Sequence, residues 1–448
     1  MKSRRRLVLL ALFVLVLISA FLYVLPLLRT GAGYAAKMAC SCRYLQDASD
    51  LDTVRTQRLN FSVLGHVSLQ ENTAEKSVQA SFYGLAKRKA YYIPGRGCVL
   101  VNDPHLPLPT PIELPQPPLS IIASDMPLKP DSTTFVGVDA AALESAIDFG
   151  MQPVDGGGAL GIVALRNGKL LTERYAPGIN AETRLLGWSM SKSITAALIG
   201  MRVADGAIDL NKKPVFEQWA NKAEYPDPRS AIALEDLLQM NSGLDWEEAY
   251  GSVTDATIML YDQANMSAYA RKKKLAHPPG TINVYSSGTT NILMDLVMSS
   301  FPNQEEAITW MYDSLFYAIG ANSFLFETDQ SGRPVGSSYG WAKARDWAKL
   351  GQLFLQKGEW NDRQVLPEGW VDYLCEKAPG SAEEYGGQIW FKGPDMPSMP
   401  EEAFMFRGFQ DQRVFIFPSQ ELVVVRLGHN KDKTADFDGF VSRILAAF

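Results

Sequence analysis

Two predicted β-hairpins at opposite ends of a long helical region constrain the fold of this chain more than any other feature. The first joins Leu160–Arg166 to Lys169–Tyr175 through Asn167-Gly168, the strongest two-residue hairpin signal. The second joins Val414–Phe417 to Leu422–Leu427 close to the C-terminus. Strands at both ends of a region with helices between them predict one antiparallel sheet, which the C-terminal hairpin completes.

Apolar residues at helical spacing surround the two hairpins. Helices are expected around Asp139–Phe149 and at about Leu234–Gln239, Asn291–Ser299, Trp347–Gln356 and Phe437–Phe448. The predicted fold class is therefore α/β (α+β), with an antiparallel sheet flanked by helices. This main domain is expected over residues 131–448.

The N-terminal segment has the composition of a membrane anchor. Lys2 and Arg4–Arg6 precede an uncharged run from Leu7 to Leu28. As a helix this run would be roughly 33 Å long, enough to cross the apolar core of a bilayer. Because basic flanks stay cytoplasmic, residues 1–30 predict a single-pass inner-membrane anchor, with the remainder in the periplasm or outside the cell. Cleavage near Gly33-Tyr34-Ala35 is the alternative.

A small β-containing module and a linker are expected between the anchor and the main domain. Leu59–Val63 and Val78–Phe82 alternate apolar and polar residues, and Pro94-Gly95 marks a turn, so residues 31–103 predict a module with strands. Seven prolines between Pro104 and Pro118 indicate an extended, semi-rigid linker over residues 104–130.

The positions of the cysteines bear on disulfide and metal binding, and the net charge bears on nucleic-acid binding. In an oxidising compartment Cys98 could pair with Cys40 or with Cys42, and the sequence leaves both pairings open. Metal binding is the poorer interpretation, because no Cys-x-x-Cys or His pair accompanies these cysteines. A net charge of −6 and the lack of a basic stripe in the sequence argue against nucleic acid as a partner.

The residue pattern Ser189-x-x-Lys192 predicts a nucleophilic site. Apolar residues at Ile194, Leu198 and Met201 place a helix directly after Ser189, and Gly206 ends it. Lys192 then lies one turn from Ser189, where its amine can approach the hydroxyl. A lysine whose pKa is lowered by desolvation can take the proton of a serine and so make it a nucleophile.

A second hydroxyl-rich segment lies about a hundred residues further on. Pro278-Pro279-Gly280 fixes a loop that leads into Tyr285-Ser286-Ser287, just before a predicted helix. A tyrosine beside a Ser-Lys pair can relay protons as a general acid or base. Tyr285 is therefore the candidate third member of the site.

Together these motifs resemble those of the penicillin-recognising serine hydrolases, which include serine β-lactamases, penicillin-binding proteins and related esterases and amidases. The resemblance is closest to β-lactamase-related hydrolases similar to 6-aminohexanoate-dimer hydrolase. It covers roughly residues 135 to 448 and is supported by further stretches of sequence, which are Asp209-Leu210, Leu237–Leu244, Ala344–Trp347 and Gly408–Gln412. It implies a β-lactamase/transpeptidase-like fold, in which an all-helical lobe accompanies the sheet.

The resemblance also implies roles for individual residues. Ser189 would be the acylated nucleophile, Lys192 its general base and Tyr285 the proton relay to the leaving group. Ser287 would contact Lys192 or substrate, and Tyr250 would be a wall of the substrate pocket. The backbone N–H of Ser189 and one from the final sheet near Asp411-Gln412 would form the oxyanion hole.

The family's third motif, Lys-Thr-Gly or His-x-Gly, has no literal copy in this sequence. Phe406-Arg407-Gly408 is the nearest match, and Gly408 would let substrate approach the strand backbone. Gln412 is placed with Gly408 among the candidate substrate-binding residues. No metal or organic cofactor is implied, and the expected substrate is an ester or amide, which includes linear amides, peptides and β-lactam-like compounds.

Two other interpretations remain at this stage. Gly336-Ser337-Ser338-Tyr339-Gly340 matches the nucleophile elbow of α/β-hydrolases, with Ser338 as the nucleophile, although no apolar strand is predicted before it. A penicillin-binding-type sensor that acylates and then stalls would carry the same three catalytic residues as an active hydrolase. The sequence does not identify the substrate or the oligomeric state.

Overall fold

The computed structural model describes residues 2–46, 48–59, 62–117, 130, 133–154, 157–220, 227–430 and 434–448, except for the side chains at positions 2–8, 16–18, 20, 23, 57 and 62. Positions 118 to 129 of the predicted linker lie outside the described residues. The helices are α1 Lys2–Tyr44, α2 Leu51–Arg58, α3 Ala140–Met151, α4 Ser191–Ala204, α5 Leu234–Leu238, α6 Asp255–Asp262, α7 Met266–Arg271, α8 Ser287–Ser299, α9 Gln304–Met311, α10 Ala344–Leu355, α11 Trp370–Leu374 and α12 Phe437–Leu445. The strands are β1 Ser68–Asn72, β2 Ser77–Phe82, β3 Leu85–Ile93, β4 Gly97–Leu100, β5 Ala159–Arg166, β6 Lys169–Tyr175, β7 Leu185–Leu186, β8 Leu325–Phe326, β9 Gly340–Ala342, β10 Glu359–Trp360, β11 Arg363–Gln364, β12 Phe404–Gly408, β13 Gln412–Phe417 and β14 Leu422–Gly428.

The two predicted hairpins meet in one five-stranded antiparallel sheet of order β12-β13-β14-β5-β6. Leu422 at the start of β14 pairs with Arg166 at the end of β5, so the C-terminal hairpin completes the sheet as expected. Asn167 and Gly168, both with positive φ, form the predicted two-residue turn. The β-lactamase/transpeptidase-like arrangement of an antiparallel sheet with helices is thus present.

The sheet is buried on both faces. α10 packs on one face, where Gly351 allows close contact with Val414 and Val423. α3 and α12 pack on the other face, over a cluster that includes Ile147, Phe415 and Phe440. Because neither face is exposed, β13 and β14 are almost wholly apolar except at the end nearest Ser189.

The N-terminal module contains the predicted strands, with one exception. β1–β4 form a four-stranded antiparallel sheet, and Gly95 has the positive φ of the predicted turn between β3 and β4. The strand expected at Leu59–Val63 is wrong: a 3₁₀ turn begins at Ser62, and positions 60 and 61 lie outside the described residues. The predicted period of two would bury Val63 on the same side as Leu59, but Val63 is exposed and Leu64 is buried instead.

Helix α1 runs from the predicted anchor into the folded body. Residues such as Ala32, Ala35 and Ala39 are fully buried in the same hydrophobic cluster as the helices around Ser189. Cys40, rather than Cys42, pairs with Cys98 on β4, which decides between the two predicted disulfides. Lys37 forms a buried ion pair with Glu327 of the main domain.

Within the described residues, no helix combines the length and the apolar character needed to cross a membrane. The predicted span includes positions 7, 8, 16–18, 20 and 23, whose side chains lie outside the described set. Membrane insertion therefore stays a prediction.

Candidate active site

The candidate nucleophile lies in a tight turn at the start of a buried helix. Trp188–Met190 form one turn of 3₁₀ helix, and α4 follows immediately at Ser191. Trp188 has a left-handed φ of 48°, which is uncommon for a large side chain. The turn sets Ser189 at the helix N-terminus, where free backbone N–H groups favour negative charge.

Lys192 joins Ser189 to two other segments of the chain. Its Nζ lies 2.9 Å from Ser189 Oγ, 2.9 Å from Ser287 Oγ and 3.1 Å from the carbonyl oxygen of Ser337. The side chain is 1 % exposed. Burial lowers the pKa of Lys192 to about 8, although the charge of Glu248 opposes this effect. The ammonium form still predominates at neutral pH, but far more neutral amine, able to accept the Ser189 proton, is present than for an exposed lysine.

Tyr285 lies on the other side of the Ser-Lys pair. Lys192 Nζ is 4.7 Å from the centre of its ring. Burial and the Glu248 charge raise the pKa of the Tyr285 phenol, while a hydrogen bond with the Ser189 side chain opposes the rise. The phenol thus stays protonated near neutral pH and is suited to donate or relay a proton rather than to act as the primary base.

Ser287 is held in place by the start of α8. The Ser286 side chain caps this helix by accepting from the Thr289 N–H at 3.0 Å. As a result Ser287 begins the helix with its hydroxyl beside Lys192, the contact expected from the resemblance.

Glu248 is a site residue that sequence reasoning missed. Its carboxylate accepts hydrogen bonds from the backbone N–H of Ser287 at 2.9 Å, from the Ser287 hydroxyl and from the Tyr250 hydroxyl. Trp246 Nε1 is a further donor at 2.6 Å. The only available signal was the spacing Trp246-x-Glu248-x-Tyr250, which places all three side chains on one side of an extended segment.

A cleft of about 460 Å³ opens over Ser189. Tyr250, Tyr285, Trp390 and Phe409 form its aromatic walls, and the remaining lining comes from Glu248, Arg407, Gly408, Gln410, Asp411, Arg413, Asn430 and Thr434. The expected pocket residues Tyr250 and Gly408 thus face the space in front of Ser189, together with polar and charged groups such as Glu248, Arg413 and Asn430 that were not expected.

Gly408 brings the edge strand against the nucleophile turn. A Cβ at this position would come within 2.2 Å of the Gly187 carbonyl oxygen, so any side chain would push the strand away. This close approach places the end of β12 beside Ser189.

Gln412, expected to bind substrate, does not line the cleft. It is 2 % exposed, and its amide is occupied by the carbonyl oxygens of Phe409, Gln410 and Gly428 and by the Gly428 N–H. Its side chain therefore fixes the β12–β13 turn, in which Gln410 and Asp411 both have positive φ. A buried glutamine whose amide is fully hydrogen-bonded has no donor left for substrate.

Ser338 does not have the geometry of a nucleophile elbow. It is 1 % exposed, its hydroxyl hydrogen-bonds that of Ser337, and strand β9 rather than a helix follows it. Ser337 instead contributes its carbonyl oxygen to the Lys192 site.

The arrangement can carry out nucleophilic acyl transfer. A serine hydroxyl, a desolvated amine and a protonated phenol converge at one end of an open cleft, with backbone N–H groups of a helix start beside them. Activation of a hydroxyl by an adjacent base, next to donors for an oxyanion, is the general requirement of this chemistry.

Comparison with known proteins gives a consistent result. The family described as Beta-lactamase matches residues 151–446. A 6-aminohexanoate-dimer hydrolase from Paenarthrobacter ureafaciens is 24 % identical over an alignment of length 316 that covers 63 % of this chain and 76 % of the relative.

Solved structures show the same fold. A Bacillus anthracis protein provisionally named 6-aminohexanoate-dimer hydrolase superposes with a TM-score of 0.56 at 22 % identity, over 68 % of this chain and 80 % of its own. A penicillin-binding protein homologue from Caulobacter crescentus has a TM-score of 0.53 at 14 % identity, over 72 % of this chain and 99 % of its own.

Proposed function

This chain belongs to the β-lactamase family, and from that premise we propose that it is a serine hydrolase that cleaves an ester or an amide through an acyl-enzyme on Ser189. The observation that carries the proposal is the convergence of Ser189, Lys192 and Tyr285 at one end of the cleft. The relative from Paenarthrobacter ureafaciens, named for hydrolysis of the 6-aminohexanoate dimer, supports the same class of reaction.

Each of the three groups has one step that suits its chemistry. Neutral Lys192 takes the Ser189 proton while Oγ forms a bond to the carbonyl carbon of the substrate. The proton then passes, through the Tyr285 phenol, to the leaving oxygen or nitrogen as the carbonyl–leaving-group bond breaks. Water repeats the sequence on the acyl-enzyme, so that Lys192 accepts its proton and Ser189 leaves with a proton restored.

The negative oxygen of the tetrahedral intermediate needs donors that are already in place. The N–H of Ser189 at the start of α4 is the first candidate, and the second would come from the backbone at the end of β12, next to Gly408. Removal of one such donor costs about 10²–10³ in kcat in well-studied enzymes.

The test measures covalent labelling and ester turnover by wild-type protein and by variants of the candidate catalytic residues. We expect wild-type protein to react with a fluorophosphonate probe at Ser189 and to turn over small p-nitrophenyl esters. Ser189→Ala should lose both activities, and Lys192→Ala and Tyr285→Phe should each slow acylation by about 10²–10⁴. Ser338→Ala, the control for the elbow motif, should keep both.

Three results would contradict the proposal or change it. Wild-type turnover by Ser189→Ala would exclude the nucleophile assignment. Loss of labelling in Ser338→Ala together with full labelling of Ser189→Ala would identify Ser338 as the nucleophile. Stable labelling of Ser189 with no ester, amide or β-lactam turnover would favour the stalled sensor instead.

We also propose that the protein is held in the inner membrane with its catalytic region in the periplasm or outside the cell. The basic flank and the uncharged run Leu7–Leu28 support an anchor, and the Cys40–Cys98 disulfide is typical of an oxidising compartment. The protein should stay with the membrane fraction after alkaline carbonate washing. Release into the wash, or accessibility to protease only from the cytoplasm, would contradict this placement.

A further inference from the structure

The turn between β2 and β3 presents apolar side chains to the outside. Tyr83 is 79 % exposed and Leu85 is 49 % exposed, although the neighbouring Phe82 is buried. Phe82 pairs with Leu85 across the turn, so the turn consists of the two residues between them. Tyr83 and Gly84 both have positive φ, as a type I′ turn requires, and Asn, Asp and Gly are the usual residues there. A tyrosine with a φ of 51° is conformationally unfavourable, and an exposed ring gains little packing within the protein to offset this.

This turn lies beside α1 and is directed toward the predicted anchor. At the far end of the hairpin, Tyr92 of β3 pairs with Cys98, which is bonded to Cys40 of α1. At the turn, the Phe82 ring lies 3.3 Å from the position that a Cβ on Gly31 would occupy. β3 therefore follows α1 in the same direction, and the turn that precedes β3 extends beyond Gly31 toward the N-terminus of the helix.

The turn is level with the end of the uncharged run in α1. The described side chains of Leu9–Val24 are exposed, so α1 projects from the folded body over that stretch. Leu28, the last residue of the run, precedes Gly31 by three positions, which is about 4.5 Å along a helix. One or two strand residues beyond Phe82 extend about 3–7 Å. If the run spans a bilayer, the turn therefore meets the headgroups where the helix emerges.

A second segment and a cation support the same placement. The Leu64 side chain also packs at Gly31, 3.6 Å from the same Cβ position, and the adjacent Val63 is exposed. Lys87, two residues after Leu85 and farther from the predicted anchor, is exposed as well. Tyrosine is enriched at the headgroup level of membrane proteins, and lysine can reach lipid phosphates from the aqueous side.

Ion pairs fasten the hairpin to α1 at this level. Asp262, at the end of α6, is bound by Arg29 and Thr30 of α1. Arg88 of β3, which is buried, binds the same carboxylate. The charge of Asp262 is therefore compensated within the protein, and the turn keeps a fixed height along α1.

We propose that the β2–β3 turn enters the interface of the bilayer and forms a second membrane contact beside α1. The inference rests on the proposed membrane placement and is independent of the proposed hydrolase reaction. The Tyr83 ring and the Leu85 side chain would lie among the headgroups and the upper acyl chains, with Lys87 at the lipid phosphates. Two side chains bury too little apolar surface to hold the protein on a membrane, so the turn orients a body that α1 anchors.

This contact would also hold the candidate active site near the bilayer. Tyr34 of α1 lies six residues past Leu28, about 9 Å along the helix axis, and its ring stacks on Trp188. A second contact away from the helix axis limits the tilt of the body and so keeps Ser189 at a constant distance from the lipid surface.

The test places an environment-sensitive fluorophore at each end of the same sheet. Full-length Cys375→Ser protein, whose remaining free Cys42 is buried, carries either Leu85→Cys or, at the exposed β1–β2 turn, Ala74→Cys. Each variant is labelled with NBD maleimide and reconstituted in vesicles of phosphatidylcholine and phosphatidylglycerol, with and without a lipid that bears a nitroxide high on its acyl chain. We expect the nitroxide to quench the label at position 85 at least about twofold more strongly than the label at position 74.

The further substitution Tyr83→Asn separates membrane contact from folding. Asparagine favours the positive φ of this turn, so the thermal midpoint of Tyr83→Asn should equal or exceed that of wild type. Quenching of the label at position 85 should nevertheless fall by about half or more, because the interfacial ring is lost. Turnover of a soluble ester should stay at the wild-type value, since Tyr83 does not line the cleft.

The outcomes distinguish this contact from the anchor. Equal quenching at positions 85 and 74 in protein that resists the carbonate wash would overturn the second contact and leave the anchor in place. If the wash releases the protein, the anchor fails, and equal quenching at both positions after mixing with vesicles would overturn the contact as well. A lower thermal midpoint of Tyr83→Asn with unchanged quenching would also overturn it, since the ring would then pack within the protein. None of these results bears on the assignment of Ser189.

Discussion

Glu248, which the sequence did not single out, connects Ser287 and Tyr250 in the candidate site. One carboxylate binds both the backbone and the hydroxyl of Ser287, which contacts Lys192, and also binds the phenol of Tyr250 on the cleft wall. Its charge raises the pKa values of Lys192 and Tyr285. We therefore expect Glu248 to act as a positioning residue that sets when the Lys192 amine is free to accept a proton.

The pH dependence of hydrolysis should follow from the interaction between Glu248 and Lys192. In the proposed mechanism neutral Lys192 is the active form, so kcat/KM of wild type should rise with pH through an apparent pKa of about 8. Glu248→Gln removes the negative charge that favours the ammonium form while an amide remains in its place. The pKa of Lys192 should then fall, and the rise of kcat/KM with pH should occur at lower pH than in wild type.

The matched control for this change is the adjacent, exposed Glu247. Glu247→Gln should leave the pH profile where it is in wild type. If Glu248 had a merely structural role, Glu248→Gln would hydrolyse more slowly at every pH, but kcat/KM would rise at the same pH as in wild type. That result would contradict the positioning role.

Short-range contacts were predictable from the residue pattern alone, whereas the long-range contact of Ser287 with Lys192 was expected only from the family resemblance. Ser189 and Lys192 are three residues apart on one helix, so their contact follows from helical geometry alone. Ser337 reaches the same amine across 145 positions, and no local pattern marks its carbonyl oxygen. Gln412 lies in the right segment, but its burial beneath the β12–β13 turn depends on the neighbouring strand.

At the scale of elements, strong turn signals were the most reliable guide. Asn167-Gly168 sets the β5–β6 turn, and both predicted hairpins are present in the sheet. The alternation at Leu59–Val63 was too short to distinguish a strand from a turn, and the structure has a 3₁₀ turn from Ser62. The packing of α1 into the core could not be foreseen, because apolar residues such as Ala35 and Ala39 fit a membrane-proximal helix equally well.

The disulfide between α1 and β4 should contribute measurably to stability. It closes a loop across a sequence separation of 58 residues, and bridges of this kind stabilise by about 2–4 kcal/mol. Cys98→Ser should lower the thermal midpoint, and a reductant should lower that of wild type but not that of the variant. Cys375→Ser, which removes a cysteine outside the bridge, should melt like wild type. Equal midpoints for wild type and Cys98→Ser would contradict a stabilising bridge.

At the scale of the whole molecule, the N-terminal region and the catalytic region share one hydrophobic core. The Tyr34 ring of α1 stacks on Trp188, the residue before the nucleophile, with 6.4 Å between ring centres. Lys37 and Glu327 form their ion pair with both side chains at most 2 % exposed. Removal of α1 would take away the cation that pairs with Glu327 and would expose the apolar surface on which α1 packs, which is unfavourable.

Two truncations test whether this shared core is required for activity. Deletion of residues 1–28 removes the predicted anchor but keeps Tyr34, Lys37 and Cys40, so the product should be soluble and should label at Ser189. Deletion of residues 1–130 leaves only the predicted main domain, without the partners of Trp188 and Glu327, and should give aggregated protein or a product that labels at least about tenfold more slowly. Solubility and the rate of fluorophosphonate labelling are the measurements. Wild-type labelling by soluble residues 131–448 would show that the catalytic region folds without α1, and the contacts of Tyr34 and Lys37 would then be dispensable for the geometry around Ser189.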